Sequence, residues 1–136
     1  MPPTVLVSND YITVEYRSEG QMIYHTVHKP MGVEQLQLLK DALNAGTDAL
    51  KEHKLTKWLS DDRLNGPLPP ELVKWGSTDW NARTVAAGWK YWANIVPQEV
   101  ASAGTLMPVI NNLYKLGLTM QVFTSVDEGL KWLSDK

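Results

Sequence analysis

Residues 57–63 read KWLSDDR and lie near the middle of a chain of 136 residues. Their short apolar run ends in two aspartates and an arginine, and the turn formers Asn-Gly-Pro follow at residues 65–67. An apolar run that stops at a turn is typical of a buried strand that leads into a loop. The elements on either side of this strand decide the kind of sheet to which it belongs.

The segment before this strand predicts an amphipathic helix over residues 33–53. Its leucines recur at helical spacing on one face, and polar side chains occupy the rest of the surface. Gly46 and Thr47 interrupt the pattern, and glycine costs about 1 kcal/mol relative to alanine inside a helix. We therefore expect a kink or a break at this point.

The beginning of the chain predicts a β-hairpin. Residues 11–17 and 22–28 alternate between apolar and polar side chains, and the sequence Ser-Glu-Gly-Gln at residues 18–21 supplies a turn. A further strand at residues 5–7 has only a weak signal.

The segment after the central strand alternates helices with strands. Pro69, Pro70 and Glu71 are typical of a first helical turn, and Gly88 is typical of a helix end. The remaining predicted elements are a strand at 91–96, a helix at 100–115, a strand at 118–123 and a last helix that starts with the capping box of Ser125 and Glu128.

The order of these elements is β-β-α-β-α-β-α-β-α. Strands joined by single helices require crossover connections, and these give a largely parallel sheet. The sequence therefore predicts one α/β domain over residues 1–136, with about five strands, about four helices and a mixed edge at the hairpin.

Composition excludes several classes of function. The net charge is −2, with thirteen basic and fifteen acidic side chains, so nothing favours nucleic acid or a membrane surface. The chain has no cysteine, and no apolar run approaches the ~20 residues of a spanning helix. We expect a cytoplasmic protein with no cofactor, no metal and no membrane span.

The order of elements resembles the STAS domain, the SpoIIAA-like fold of anti-sigma-factor antagonists. Several motifs are similar to those of small bacterial STAS/SEC14-type proteins: the run from Trp58 to Arg63, then Trp75, Asp79-Trp80 with Arg83, and Gly88-Trp89-Lys90. The resemblance covers nearly the whole chain and implies a regulatory protein-binding module.

One departure from this family concerns phosphorylation. Antagonist STAS proteins carry an Asp-Ser-x-Gly motif in the loop after this strand, whereas the loop here reads DRLNG at residues 62–66. Arg63 stands at the position of the phosphoacceptor, so the resemblance does not extend to the phosphoserine switch. Ser60 is a weak candidate for a substitute, because it precedes the aspartates and belongs to the predicted strand.

Asp61, Asp62 and Arg63 are the first candidate binding residues. They follow a parallel strand, at the edge where open α/β sheets usually bind ligands. A structural reading competes with this one, because aspartates often stabilise turns and Asp–Arg pairs often hold loops together.

A second candidate group lies on the following helix. Trp75, Asp79 and Arg83 recur every four residues, so an α-helix would place them on one face, with Trp80 beside them. Such a stripe is typical of a protein-binding surface or of an aromatic wall for a ligand. Alternatively, the tryptophans pack against the sheet as core residues.

The next strand also carries tryptophans, and we expect Trp92 in the core and Trp89 partly exposed beside the helix end. The histidines offer little chemistry. His25 and His28 point to opposite faces of their strand, which argues against a histidine-based metal site or catalytic dyad.

Three functional hypotheses follow. The first is a non-catalytic regulatory module that binds a protein partner or itself through the surface between Trp75 and Trp89, with Trp80 and Arg83 exposed. The second is a domain that binds a small apolar ligand or lipid in a cavity lined by Trp58, Trp80 or Trp89. The third is an enzyme that uses Asp61 or Asp62 as a general base in a cleft.

Overall fold

The computed structural model describes residues 2–136 and contains one six-stranded sheet. The strands are β1 (Thr4–Ser8), β2 (Ile12–Arg17), β3 (Met22–Val27), β4 (Lys57–Asp61), β5 (Tyr91–Ile95) and β6 (Thr119–Phe123). They lie in the order of the sequence. Strands β1 to β3 are antiparallel, and β3 to β6 are parallel. The mixed, largely parallel sheet is as predicted, and the weakly signalled first strand is a full member of it.

Helices make the connections between the parallel strands. They are α1 (Leu36–Glu52), α2 (Pro70–Trp75), α3 (Asn81–Ala86), α4 (Gln98–Ala103), α5 (Met107–Lys115) and, after β6, α6 (Val126–Ser134). Segments α2 and α3 are joined by a π-helical turn, Gly76–Trp80, without an interruption of the helix. The predicted single helix at 100–115 is instead two helices, because Gly104 adopts the left-handed φ of 68° that ends α4.

The two faces of the sheet are covered differently. On the face that we call the helix face, Leu39 of α1, Leu72 of α2 and Leu113 of α5 join one core with the strands. On the opposite face, α6 packs through Leu133 onto the middle of the sheet. The parallel strands end at one edge of the sheet, which we call the carboxyl edge, and begin at the other, the amino edge.

Helix α1 continues through Gly46, so the predicted break at this position is wrong. A Cβ atom at Gly46 would lie only 2.5 Å from Cη2 of Trp58. Glycine is present at this position because the fully buried Trp58 ring packs directly onto the helix backbone. Thr47 is also accommodated, since its hydroxyl donates to the Leu43 carbonyl at 3.1 Å within the same helix.

We predict that Gly46→Ala destabilises the protein by about 1–3 kcal/mol, because the added methyl forces Trp58 out of its position. This occurs although alanine has the higher helix propensity. The measurement is urea unfolding of the native protein and the variant.

Gly76→Ala is the matched control. Gly76 has helical dihedral angles, and an added Cβ would have its nearest neighbour, Oδ1 of Asn81, at 4.0 Å. This variant should match or exceed the native stability, by up to about 1 kcal/mol. Equal stabilities of the two alanine variants would contradict the packing of Trp58 on α1.

Candidate functional site

Asp61 and Asp62 lie at the carboxyl end of β4 and point to opposite faces of the sheet. Successive residues of a strand alternate between faces, and the two carboxylates accordingly have different partners. Asp61 bonds to Arg63, whereas Asp62 bonds to His25 and Asn94 on the helix face. The structure therefore divides the predicted Asp61, Asp62 and Arg63 group into two sites.

Asp61 and Arg63 form a bidentate ion pair. The Nε and Nη2 atoms of Arg63 donate to the two carboxylate oxygens at 2.9 and 2.7 Å. Burial of Asp61 opposes its ionisation, but the hydrogen bonds and the charge of Arg63 outweigh it, so the pKa of Asp61 lies below its ordinary value. The same pairing raises the pKa of Arg63. The pair fixes the start of the loop that follows β4.

Asp62 accepts hydrogen bonds from two neighbouring strands. His25 Nε2 on β3 lies 3.0 Å from Oδ1, and Asn94 Nδ2 on β5 donates to Oδ2 at 3.1 Å. The Asp62 carboxylate thus joins β3, β4 and β5 at the carboxyl edge.

Trp58 determines the tautomer of His25. Its indole Nε1–H, which can only donate, lies 3.0 Å from His25 Nδ1. Nδ1 is therefore the acceptor, and the proton on Nε2 points to Asp62. Because both ring nitrogens have partners, His25 has no free nitrogen with which to accept a substrate proton.

Ser60 lies at the centre of the same network and is fully buried. Its Oγ accepts from Trp92 Nε1 at 2.6 Å and lies 3.4 Å from Asn94 Nδ2. Ser60 belongs to β4, as expected, but its burial is incompatible with the suggested role of phosphoacceptor. Asn94 Oδ1 is also buried and has no protein partner within residues 2–136.

The exposure predicted for two tryptophans is wrong. Trp80 is 6% exposed and Trp89 is 1% exposed, whereas Trp92, expected in the core, is only half-buried. The rings of Trp58, Trp80 and Trp89 pack against one another with centroids 5.2–5.6 Å apart. They fill the space in which the second hypothesis places an apolar ligand.

The π-helical turn explains the burial of Trp80. Its i→i+5 hydrogen bonds widen the turn, so residues five apart come to lie above one another. Trp75 and Trp80 accordingly stack with centroids 6.1 Å apart. Trp80 points into the core, where its Nε1 donates to the buried Thr47 hydroxyl at 2.9 Å. A regular α-helix would place these two residues on different faces.

The remaining members of the predicted stripe hold two helices together. Arg83 donates to Asp79 at 3.2 Å and to Asn44 of α1 at 2.8 Å. Lys40, also of α1, lies 5.5 Å above the ring of the half-buried Trp75. Asp79 and Arg83 are exposed, as the sequence predicts, but their contacts lie within the chain.

A hollow of about 330 Å³ lies elsewhere, between the β2–β3 turn and α6. It is open to solvent, and Arg17, Met22 and Leu130 contribute to its lining. Within the described part of the chain, no three His, Asp or Glu side chains converge on a position where an ion would be held.

Sequence reasoning missed His25 and Asn94. In the sheet, His25, Ser60 and Asn94 are direct neighbours across β3, β4 and β5. A polar residue at the same position of three predicted strands is the one signal that could have suggested this network, but it requires the strand register.

The fold is similar to that in the crystal structure of an anti-sigma factor antagonist from Mycobacterium paratuberculosis. The superposition has a TM-score of 0.57 and covers 94% of this chain and 98% of that chain, with 11% sequence identity. This similarity confirms the STAS-type, SpoIIAA-like fold that the sequence predicts. A scan against models of protein families gives no match, and neither does a search of the curated proteins.

We predict that Asp61→Asn destabilises the protein at neutral pH by about 1–3 kcal/mol, because Arg63 loses a charged partner. The folded-state pKa of Asp61 lies below the unfolded value, so its stabilising contribution is complete above the unfolded pKa, near 3.8. It is lost as the pH falls through the folded-state pKa. The stability difference between native and variant should therefore be constant from about pH 5 to 7 and shrink below about pH 4.

Chemical unfolding at a series of pH values provides the test. A difference that stays the same down to the lowest accessible pH would show that the ion pair is not the source of the stabilisation. Asp79→Asn is the control, since Asp79 forms an exposed pair and should change stability by less than about 0.5 kcal/mol.

Proposed function

We propose that this chain is a non-catalytic STAS-type interaction module that binds a protein partner at the carboxyl edge of its sheet. The observation that carries the proposal is a set of exposed apolar side chains just after β4. Leu64 is 58% exposed, Leu68 is 40% exposed and Val73 on α2 is 54% exposed. We call these three residues the β4-loop surface.

Exposed apolar side chains that are close in sequence are typical of binding surfaces. The same loop carries the exposed Arg63, and arginine is a residue type enriched at protein interfaces. The β4-loop surface therefore replaces the tryptophan surface of the sequence hypothesis, since Trp80 and Trp89 are buried.

The loop is fixed before any partner binds. The Asp61–Arg63 pair holds its beginning, and the Asn65 amide donates to the Asp62 carbonyl at 3.1 Å. Gly66 adopts a left-handed φ of 66° against Pro30. A loop that is already ordered loses little conformational entropy when it binds, which favours its use as a docking surface.

The sequence of this region also supports binding without a phosphoserine switch. Residues 61–76 contain no serine, threonine or tyrosine, and the preceding Ser60 is buried. Modification of a hydroxyl in this loop is therefore not available as a means to release the partner.

The contacts of the carboxylates give no support to an enzyme. Asp61 is paired with Arg63 and has a lowered pKa, which weakens it as a base near neutral pH. Asp62 accepts hydrogen bonds from His25 and Asn94. Packing of Trp58 against its neighbours likewise leaves the apolar-ligand hypothesis without the cavity that it requires.

We predict that Leu64→Asp with Leu68→Asp weakens partner binding at least about tenfold, because it places charges in the apolar part of the contact. The partner is first captured from the source cells with the native protein, and its affinity for each purified variant is then measured by calorimetry. Native mass spectrometry of the same preparations reports self-association and retained small ligands.

The control is Val5→Asp with Val109→Asp, which introduces the same two charges at exposed valines outside the β4-loop surface. This variant should bind within about twofold of the native protein. Circular dichroism melting shows whether each variant is folded. The proposal fails if both double variants bind equally well, or if the native protein has neither a protein partner nor a self-associated form.

A further inference from the structure

The helices of this fold point in one direction relative to the parallel strands, and this separates the charges of the chain. Each helix that follows a parallel strand begins at the carboxyl edge. Acidic residues lie in the first turns of three helices, at Glu71 of α2, Glu99 of α4 and Glu128 of α6, and lysines lie in the last turns of α1, α5 and α6. Carboxylates favour the positive ends of helix dipoles and ammonium groups the negative ends.

As a result, the amino edge is strongly basic although the chain has a net charge of −2. The helix ends and turns at this edge carry eight basic side chains: Arg17, Lys51, Lys54, Lys57, Lys90, Lys115, Lys131 and Lys136. The acidic side chains at the same edge are Glu19, Glu52, Asp135 and Glu15, which pairs with Arg17 at 3.4 Å. A composition averaged over the whole chain does not reveal this excess.

Lys57 and Lys90 lie on neighbouring strands at the centre of this edge. Lys57 begins β4, and Lys90 directly precedes β5. The Lys90 amide donates to the Thr56 carbonyl at 2.9 Å, and the Lys90 carbonyl accepts from the Thr119 amide at 2.9 Å. Adjacent strands lie about 4.8 Å apart, so the backbones of Lys57 and Lys90 are close. Because Lys57 is the register partner of Tyr91, the two lysine side chains leave opposite faces of the sheet at this edge.

Two exposed apolar side chains lie at the same edge. Tyr114 is 71% exposed and Leu116 is 49% exposed, on either side of Lys115 where α5 ends. Gly117 then turns the chain into β6 with a φ of 95°. An exposed tyrosine and leucine beside lysines form the combination found at membrane interfaces.

We propose that the amino edge binds the surface of an anionic lipid bilayer, with the lysines on the headgroups and Tyr114 and Leu116 at the boundary with the acyl chains. The predominance of lysine over arginine favours a lipid surface over a protein or a nucleic acid. Seven of the eight basic residues are lysines, which are depleted at protein interfaces and lack the planar fork that arginine offers to nucleic acids. Lysines close to an anionic leaflet each contribute to its attraction.

This site is independent of the partner site, because it occupies the opposite edge of the sheet. Binding of the amino edge to a bilayer would direct the carboxyl edge and its β4-loop surface away from the membrane. No helix of the described residues is long and apolar enough to span a bilayer.

The test is flotation of the full chain with vesicles of phosphatidylcholine, alone or mixed with phosphatidylserine. The native protein should float with the mixed vesicles, remain behind with phosphatidylcholine alone, and be released by high salt. Lys54→Glu with Lys57→Glu and Lys90→Glu should lower the partition coefficient about 100-fold or more. Tyr114→Ser with Leu116→Ser should lower it about tenfold.

Control variants make the same kinds of change away from the amino edge. They are Lys29→Glu with Lys40→Glu and Lys74→Glu, and Val33→Ser with Val109→Ser, and both should float within about threefold of the native protein. Thermal melting confirms that every variant is folded.

Three results would overturn the proposal. One is equal recovery of the native protein with the two kinds of vesicle, and another is equal loss of binding in the amino-edge and control variants. The third is tighter binding to duplex DNA than to mixed vesicles, with no effect of the Tyr114 and Leu116 changes, which would assign the basic edge to nucleic acid.

Discussion

Trp58 packs between the sheet and helix α1, and it contacts both the main core and the polar network at the carboxyl edge. The ring is fully buried, and its close approach to α1 requires glycine at position 46. Aromatic side chains of this size bury a large apolar area and contribute strongly to the stability of a core. The same ring contacts Trp80 and Trp89, so it also positions the π-helical turn and the segment that leads into β5.

Trp58 connects this core to the polar network at the carboxyl edge. Its indole N–H fixes His25 in the tautomer that donates to Asp62, and Asp62 in turn holds Asn94. Buried polar groups in a low-dielectric interior are costly unless they have partners, and here the partners come from three strands. The network is thus a rigid base for the loop that carries Leu64 and Leu68.

The direction of the helices accounts for the other functional property proposed. Every helix after a parallel strand starts at the carboxyl edge. Acidic side chains are therefore favoured at this edge, where the helix dipoles are positive, and basic side chains at the opposite edge. Glu71 and Lys115 illustrate the two ends. A chain with a small net charge therefore acquires one acidic and one basic edge. The two proposed sites occupy opposite edges and can be tested separately.

The sequence by itself determined the class of fold and most of its elements. Alternating side chains predicted β2 and β3, and the apolar run at residues 91–96 predicted β5. The expected STAS-type fold agrees with the similarity to the anti-sigma factor antagonist. The proximity of Asp61 and Arg63 was also accessible, because they are two residues apart. These features depend on local periodicity, which a single sequence contains.

Tertiary packing determines which tryptophans are buried and which polar groups are in contact. Trp80 turns into the core because a π-helical turn shifts the spacing that a regular helix would have. Glycine is required at position 46 because the Trp58 ring of β4 packs against it. His25 contacts Trp58 and Asp62, which are 33 and 37 residues away in the sequence. Such contacts follow from strand register and helix packing. Those depend on the balance of interactions over the whole core, which no short stretch of sequence contains.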